Sequence, residues 1–228
     1  MLRRRDMAGK AESEDPGPGV DGYVQDGIIF WLDGIWNTQT GHKSTAKVWE
    51  DLSGNGHNYT YRSNSVVAPT YCIPNGQMAS AIEAPAISTS YSIEVVTDIW
   101  ESSTGQFILA RGNGYGTMFV NAARTTFWFH TANTSNGAHG FAPQSGRTTY
   151  TAQDSSNYFI NGAATTRLNG KTSWTSTNLK KYLFYYNSSY KYSYVSPVYA
   201  IRIYNRTLTE AEIAQNYAQD VLRFGGGS

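Results

Sequence analysis

An all-β antiparallel sandwich or barrel, closed by one short helix near its carboxyl end, is the fold class that this sequence of 228 residues predicts. Three observations carry that reading. Short stretches of alternating apolar and polar residues recur along the chain, the period of half-buried strands. Between them stand six Asn-Gly pairs, at Asn55, Asn75, Asn113, Asn136, Asn161 and Asn169, and three Asp-Gly pairs. These supply the positive-φ residues that tight hairpins need. A clear helical period appears once, after Thr209.

In chain order, residues 1–21 contain Pro16, Pro18, mixed charge and almost nothing apolar. Such a segment cannot bury enough surface to offset its ordering entropy. It reads as an arm: either a disordered tail, or an attachment segment in which Arg3, Arg4 and Arg5 grip a partner. The folded part opens at Tyr23. Residues 28–32, Ile-Ile-Phe-Trp-Leu, form a continuous apolar run and imply a strand covered on both faces. Val48-Trp49 follows after a polar loop, and Pro69, Pro74 and Pro85 then limit strands to short pieces.

Residues 92–100 alternate most cleanly, with Ile93, Val95, Thr97 and Ile99 on one face and Glu94, Val96, Asp98 and Trp100 on the other. Further strands are expected at 106–111, 117–121, 126–130, 158–161, 182–186 and 198–205. The last sets Tyr199, Ile201 and Ile203 against Ala200, Arg202 and Tyr204. Thr209 and Glu212 then make a capping box, and Leu208 with Ile213 a hydrophobic staple. Ile213, Tyr217 and Val221 give an apolar stripe at helical spacing. A lone helix after so many strands must lie against a sheet or its edge. One domain over 22–224 is expected, with Gly-Gly-Gly-Ser at 225–228 as a tail.

Composition narrows the function. Charged residues make up 15% against roughly 25% in an average domain, and the net charge is +1. Neither nucleic acid nor an anionic membrane would be recruited by such a field. The single cysteine excludes an intrachain disulfide and a thiol-rich zinc site. There is no run of 18 apolar residues, and the amino terminus lacks the apolar stretch of a secretory signal. The four histidines show no ligand spacing.

With 17 Tyr and 6 Trp the chain is rich in aromatic surface. Trp31 and Trp49 are assigned to the core, as are Leu183 and Tyr185. Residues 182–194 read Tyr-Leu-Phe-Tyr-Tyr-Asn-Ser-Ser-Tyr-Lys-Tyr-Ser-Tyr. Tyrosine with Asn and Ser is the composition of adaptable recognition surfaces. Sugar C–H faces stack on such rings while hydroxyls meet the short polar groups. Tyr186, Tyr190, Tyr192, Tyr194 and Trp174 are therefore the candidate ligand contacts. Packing against a partner subunit would use the same residues, and Trp36, Trp100 and Trp128 are open to either role.

The order of these features resembles the concanavalin A-like lectin/glucanase superfamily, in its laminin-G-like jelly-roll branch. The matching pieces are residues 27–33 (Gly-Ile-Ile-Phe-Trp-Leu-Asp), 49–56 (Trp-Glu-Asp-Leu-Ser-Gly-Asn-Gly), 91–95 (Tyr-Ser-Ile-Glu-Val), 106–112 (Gln-Phe-Ile-Leu-Ala-Arg-Gly), 158–162 (Tyr-Phe-Ile-Asn-Gly) and 201–213, from Ile-Arg-Ile-Tyr-Asn-Arg to Ala-Glu-Ile. The resemblance implies a two-sheet jelly-roll sandwich. The whole arrangement also resembles single-domain proteins of phages and prophages of gut bacteria, which implies a virion-surface protein made in the bacterial cytoplasm.

Glucanases of this superfamily place two carboxylates on one strand face, and retaining chemistry needs them about 5–5.5 Å apart. Glu94 and Asp98 share a face but lie four residues, about 13 Å, apart along a strand. Glu101 falls on the opposite face. No Gly-x-Ser-x-Gly or His-Glu-x-x-His occurs. Relatives in this branch hold a calcium ion near the sandwich rim, so the resemblance implies Asp51 and Asn55 as ligands for Ca²⁺. The alternative is that Asp51 fixes a turn through backbone amides. Where related domains carry an Asp before the last strand, residues 196–199 (Ser-Pro-Val-Tyr) offer no carboxylate.

The expectation is a non-catalytic module that binds carbohydrate or a host cell surface and joins a virion through its arm, among other virion proteins or copies of itself. A purely structural decoration subunit, and a glycoside hydrolase-like domain that has lost its carboxylates, are the alternatives.

Overall fold

The structure, a computed structural model, describes residues 21–61, 64–74, 83–84, 90–100, 106–111, 115–121, 126–130, 138–153, 157–166, 181–184 and 194–225. They form an antiparallel two-sheet jelly-roll sandwich with a C-terminal helix. The larger sheet contains β1 (Ile28–Asp33), β4 (Val66–Val67), β5 (Cys72–Ile73), β7 (Ser92–Asp98), β12 (Arg147–Gln153), β13 (Tyr158–Ile160), β14 (Ala163–Thr165) and β16 (Val198–Tyr204). Its order is β14-β13-β12-β7-β16-β5-β4, with β1 also paired to β16. The smaller sheet runs β11 (Ala138–Phe141), β10 (Phe127–His130), β9 (Tyr115–Val120), β8 (Gln106–Arg111), β15 (Lys181–Leu183), β6 (Glu83–Ala84). β2 (Val48–Trp49) and β3 (Tyr59–Thr60) make a separate hairpin.

The period of two sorts each central strand. Ile93 and Val95 of β7, Ile201 and Ile203 of β16, and Phe30 and Leu32 of β1 enter the core between the sheets. Ile108, Leu109, Met118, Val120, Phe127 and Leu183 meet them from the smaller sheet. Phe127 stacks on Tyr150 at 4.5 Å between ring centres, tying one sheet to the other. The Asn161-Gly162 pair turns β13 into β14 as expected, with φ of 52° and 76°. A Cβ on Gly162 would also stand 3.0 Å from the Tyr217 ring, so glycine is required twice over.

Three features depart from the expected elements. β12, a seven-residue strand beside β7, falls where no strand was expected, as do β11 and β14. The register of β16 on β7 slips between Val198 and Ala200. This bulge takes Tyr199 out of the Ile201/Ile203 row and sets its ring 5.6 Å from Phe224, on the helix side. The strand expected at 182–186 ends at Leu183, and Phe184 leaves the sheet with φ of 56°.

The helix, α1 (Glu210–Phe224), starts as expected. Thr209 accepts from the Glu212 amide, and Glu212 accepts from the Thr209 amide. Leu208 and Ile213 bury together with Val24, Phe159 and Tyr204. The stripe turned to the sheet, however, is Ile213, Asn216 and Asp220, while Tyr217 and Val221 are half-buried.

The reason lies in the sheet. Its outer face presents Arg202, flanked across the strands by Glu94 on β7 and Trp31 on β1. Arg202 Nε donates to Glu94 Oε2 at 2.8 Å, and its two terminal nitrogens donate to the Asp220 carboxylate at 2.9 and 2.7 Å. Asn216 Nδ2 donates to Glu94 and to the Tyr204 hydroxyl. Tyr23 and Thr149 hydroxyls donate to Asp220, and the Tyr23 ring lies under the guanidinium at 4.5 Å. The Val24 amide donates to Asn216 Oδ1, so residues 23–24 are drawn into the same layer. Arg202, Glu94, Asn216 and Asp220 are all at most 1% exposed. Arg223 extends the pairing to Asp33 at the end of β1.

Burial alone would lower the Arg202 pKa, but the Asp220 and Glu94 carboxylates outweigh it and hold the group well above its ordinary value. Removing the guanidinium would strand two acids without water. Arg202→Met is therefore expected to lower unfolding stability by about 3–5 kcal/mol in denaturant titration. At the exposed end of α1, hydrogen bonding from Arg206 holds the Glu212 carboxyl down at about 2. A carboxyl depressed in the folded state adds stability above its ordinary pKa of 4.5 and loses it as pH falls toward 2. Glu212→Gln, which keeps the cap but not the charge, should show a shallower stability loss over that acid range.

Candidate functional site

Chemistry on the larger sheet would have to use its outer face, where Glu94, Asp98 and Trp100 were expected. Burial pushes the Glu94 carboxyl up, against the opposing pull of Arg202. A raised carboxyl in a cleft marks a candidate acid. Glu94 is instead covered by α1, its Oε2 already accepting from Arg202 and Asn216. Asp98 shares the face and is half-buried, with Oδ2 accepting from Trp100 Nε1 at 3.2 Å. The two acids do not face each other, and Glu101 lies outside the described residues.

Asp51 is 1% exposed and serves its own loop. Oδ1 accepts from the amides of Trp31 at 2.9 Å and Ser53 at 3.0 Å, and Oδ2 from that of His57 at 3.0 Å. The side chain thus pins loop 52–57 to β1. Asn55 turns its amide nitrogen to the Ile29 carbonyl and the Ser53 hydroxyl. Three lone pairs of the carboxylate are engaged by amide protons, which leaves too little for a cation. No group of three or more His, Cys, Asp or Glu that could hold a metal occurs among the described residues. The residues of this loop do not fit the calcium ion that the resemblance implies.

The aromatic candidates separate. Tyr194, expected on an exposed ligand face, is instead fully buried in the inter-sheet core. Its ring packs 6.2 Å from Phe184 and its hydroxyl bonds Thr97 Oγ1. The local pattern of the Tyr-rich segment could not show this, because the burial of Tyr194 depends on Thr97 and Phe184, neither of them a near neighbour in sequence. Tyr185, Tyr186, Tyr190, Tyr192 and Trp174 lie outside the described residues, as do Arg3, Arg4 and Arg5. Trp49 is in the core with Nε1 donating to the Asp33 carbonyl. Trp31 is buried too, on the helix side of the sheet against Tyr23. Trp36 is half-buried, Trp100 is 43% exposed, and the side chain of Trp128 lies outside what the structure describes.

One open cavity of about 230 Å³ lies beside β4, lined by Ser44, Thr45, Lys47, Tyr61, Ser65 and Val67. Hydroxyls, one ammonium and one ring could receive a small polar ligand there. The residues that reasoning from sequence did not single out are Asn216, Asp220 and Asp33. A signal for the first two was present: with Ile213 they stand at i, i+3 and i+7, a single helix face.

No protein-family model matches the chain, and no curated protein matches it. Solved structures do. A Trypanosoma rangeli sialidase mutant displaying trans-sialidase activity aligns over 88% of this chain at 13% identity, with a TM-score of 0.61. A structure of botulinum neurotoxin type C, whose cell entry depends on interaction with two ganglioside molecules, aligns over 86% at 12% identity and a TM-score of 0.54. The binding domain of botulinum neurotoxin DC in complex with SialylT gives 86%, 14% and 0.54. The alignments cover 34% of the sialidase chain and 51% of each toxin chain, so this chain spans about a third and about half of their lengths. At such identity the likeness shows the fold, a lectin-like β-sandwich that occurs both in enzymes and in binding domains.

Proposed function

We propose that this chain is a non-catalytic, concanavalin A-like binding module that recognises carbohydrate on a host cell surface. The observation that carries the reading is the sealing of Glu94. The acid placed on the strand where glucanases of this fold keep their carboxylates is locked beneath α1, and Asp98 stands four residues away, about 13 Å along the strand. Among the described residues Trp100 stays exposed, and the open cavity beside β4 is lined mainly by hydroxyls. The sandwich fold shared with a toxin binding domain in complex with SialylT is consistent with a glycan partner.

Within this reading, residues 22–224 form the binding domain and Tyr186, Tyr190, Tyr192 and Trp174 are candidate ligand contacts. Residues 1–21, through Arg3, Arg4 and Arg5, attach the module to a larger particle. The resemblance to phage-encoded proteins makes that particle a virion, with the chain made in the cytoplasm of the bacterial host.

Glycan-array binding tests the proposal. The full chain should retain a defined set of glycans on the array while releasing no reducing sugar from them. Incorporation into particles without binding to any glycan would favour a purely structural subunit. Measurable sugar release would instead make it a hydrolase.

A further inference from the structure

α1 ends at Phe224, and past its end the outer face of the larger sheet is not covered by the helix. There the ends of β7, β12 and β16 bring together Asp98, Arg147, Tyr199 and, just beyond β7, Trp100. Asp98 and Arg147 are direct cross-strand partners on neighbouring antiparallel strands. Register alone therefore sets an acceptor and a donor side by side, roughly 5 Å apart at their Cβ atoms. Yet no ion pair joins them. Asp98 turns Oδ2 to Trp100 Nε1, and Arg147 turns Nη1 to the Phe224 carbonyl with its guanidinium 5.8 Å from the Tyr199 ring. Asp98 Oδ1 and the other nitrogens of Arg147 have no partner among the described residues.

The indole beside them is unusual in being both exposed and rigidly held. A single exposed apolar side chain is ordinary in itself; what sets this one apart is how its backbone and ring are held. The Trp100 amide donates to Ser196 Oγ at 3.0 Å, and its carbonyl accepts from Gln106 Nε2 at 2.9 Å. Ser196 Oγ in turn donates to Gln106 Oε1 at 2.7 Å, which also accepts from the Val195 amide. Ser196 and Gln106 are 0% and 1% exposed. Two buried polar side chains thus fix the backbone on both sides of one exposed ring, and Asp98 fixes the ring's orientation. A surface held this way loses little entropy when a ligand covers it.

We propose that Trp100, Asp98 and Arg147 form a pyranose-binding subsite on this face. The inference rests on the carbohydrate reading above and gives it a place. A sugar ring lays its C–H face on the indole, gives a hydroxyl proton to Asp98 Oδ1, and accepts at a neighbouring hydroxyl from Arg147. A sugar carries vicinal hydroxyls that both donate and accept, which matches a carboxylate oxygen and guanidinium nitrogens with spare hydrogen-bonding capacity at neighbouring register positions. Tyr199 stands beside the pair. Burial and then the Asp98 charge push its hydroxyl above the ordinary value, so it stays neutral and able to donate.

The test uses the full chain and titration calorimetry with 3′-sialyllactose, lactose, and the methyl glycosides of glucose, mannose and N-acetylglucosamine. Trp100→Ala and the isosteric Asp98→Asn are compared with Tyr190→Ala and Tyr192→Ala. Binding of at least one of these sugars by the unaltered chain is expected, weakened about tenfold or more by Trp100→Ala and by Asp98→Asn with the melting temperature unchanged. If the sugar binds and both variants keep full affinity, the subsite is overturned while the carbohydrate reading stands. Loss of binding confined to the Tyr190 and Tyr192 variants overturns the subsite in the same way. If none of the sugars binds the unaltered chain, the subsite is overturned, and the glycan array decides the wider reading. If Trp100→Ala abolishes self-association in sedimentation and leaves sugar affinity intact, the subsite is overturned and the ring belongs to a protein interface.

Discussion

Arg202 is the constraint that the helix side of this molecule answers to. It sits in the middle of β16, the strand that pairs with both β1 and β7, on the face turned away from the inter-sheet core. A guanidinium held there out of water is tolerable only if its donors are met by acceptors and its charge by acids. Glu94 meets it from the sheet and Asp220 from above, in a bidentate grip that a lysine could not reproduce. Because Asp220 must come from above, something carrying it has to lie across the sheet. That is what places α1, why its inner face is polar, and why Tyr23 and Val24 fold back beneath it.

The same cluster divides the outer face in two. Under the helix, Glu94 is committed to holding the structure and is closed to substrates. Past the helix terminus, Asp98 and Arg147 are adjacent but turned elsewhere, to an indole and to a main-chain carbonyl. One half of the face is polar because it is buried and compensated. The other keeps Trp100 exposed, with Asp98, Arg147 and Tyr199 half-buried beside it. The difference follows from where α1 stops.

A lectin-like sandwich does not by itself specify what it binds, or whether it reacts. The sialidase and toxin structures that share the fold underline the point, as each is considerably longer than this chain. Function has to be argued from side chains, and here the side chains disagree with two features implied by family resemblance or composition. Asp51 accepts from three backbone amides, an arrangement that organises a loop and does not fit a calcium ligand. Tyr194, one of a run of tyrosines, is a core residue whose hydroxyl is satisfied by Thr97.

Much was legible from sequence alone. The alternation of 92–98 and 200–204, the Asn161-Gly162 turn, the Thr209/Glu212 cap and the Leu208/Ile213 contact are local, since each depends on residues a few positions apart. Where apolar period and turn chemistry agree, the local answer survives into the fold. β12 was not legible, because its Thr148, Thr149, Thr151 and Gln153 look solvent-facing until a helix and a neighbouring strand supply their partners, although its β-branched threonines hinted at a strand. The bulge at Tyr199 and the burial of Tyr194 both depend on β7, through its register with β16 and through Thr97. Local periodicity determined which segments became strands and where the helix began. Only tertiary structure decided which polar residues were interior, because a buried charge is set by partners distant in the chain: Glu94 by Arg202, and Arg202 by Asp220.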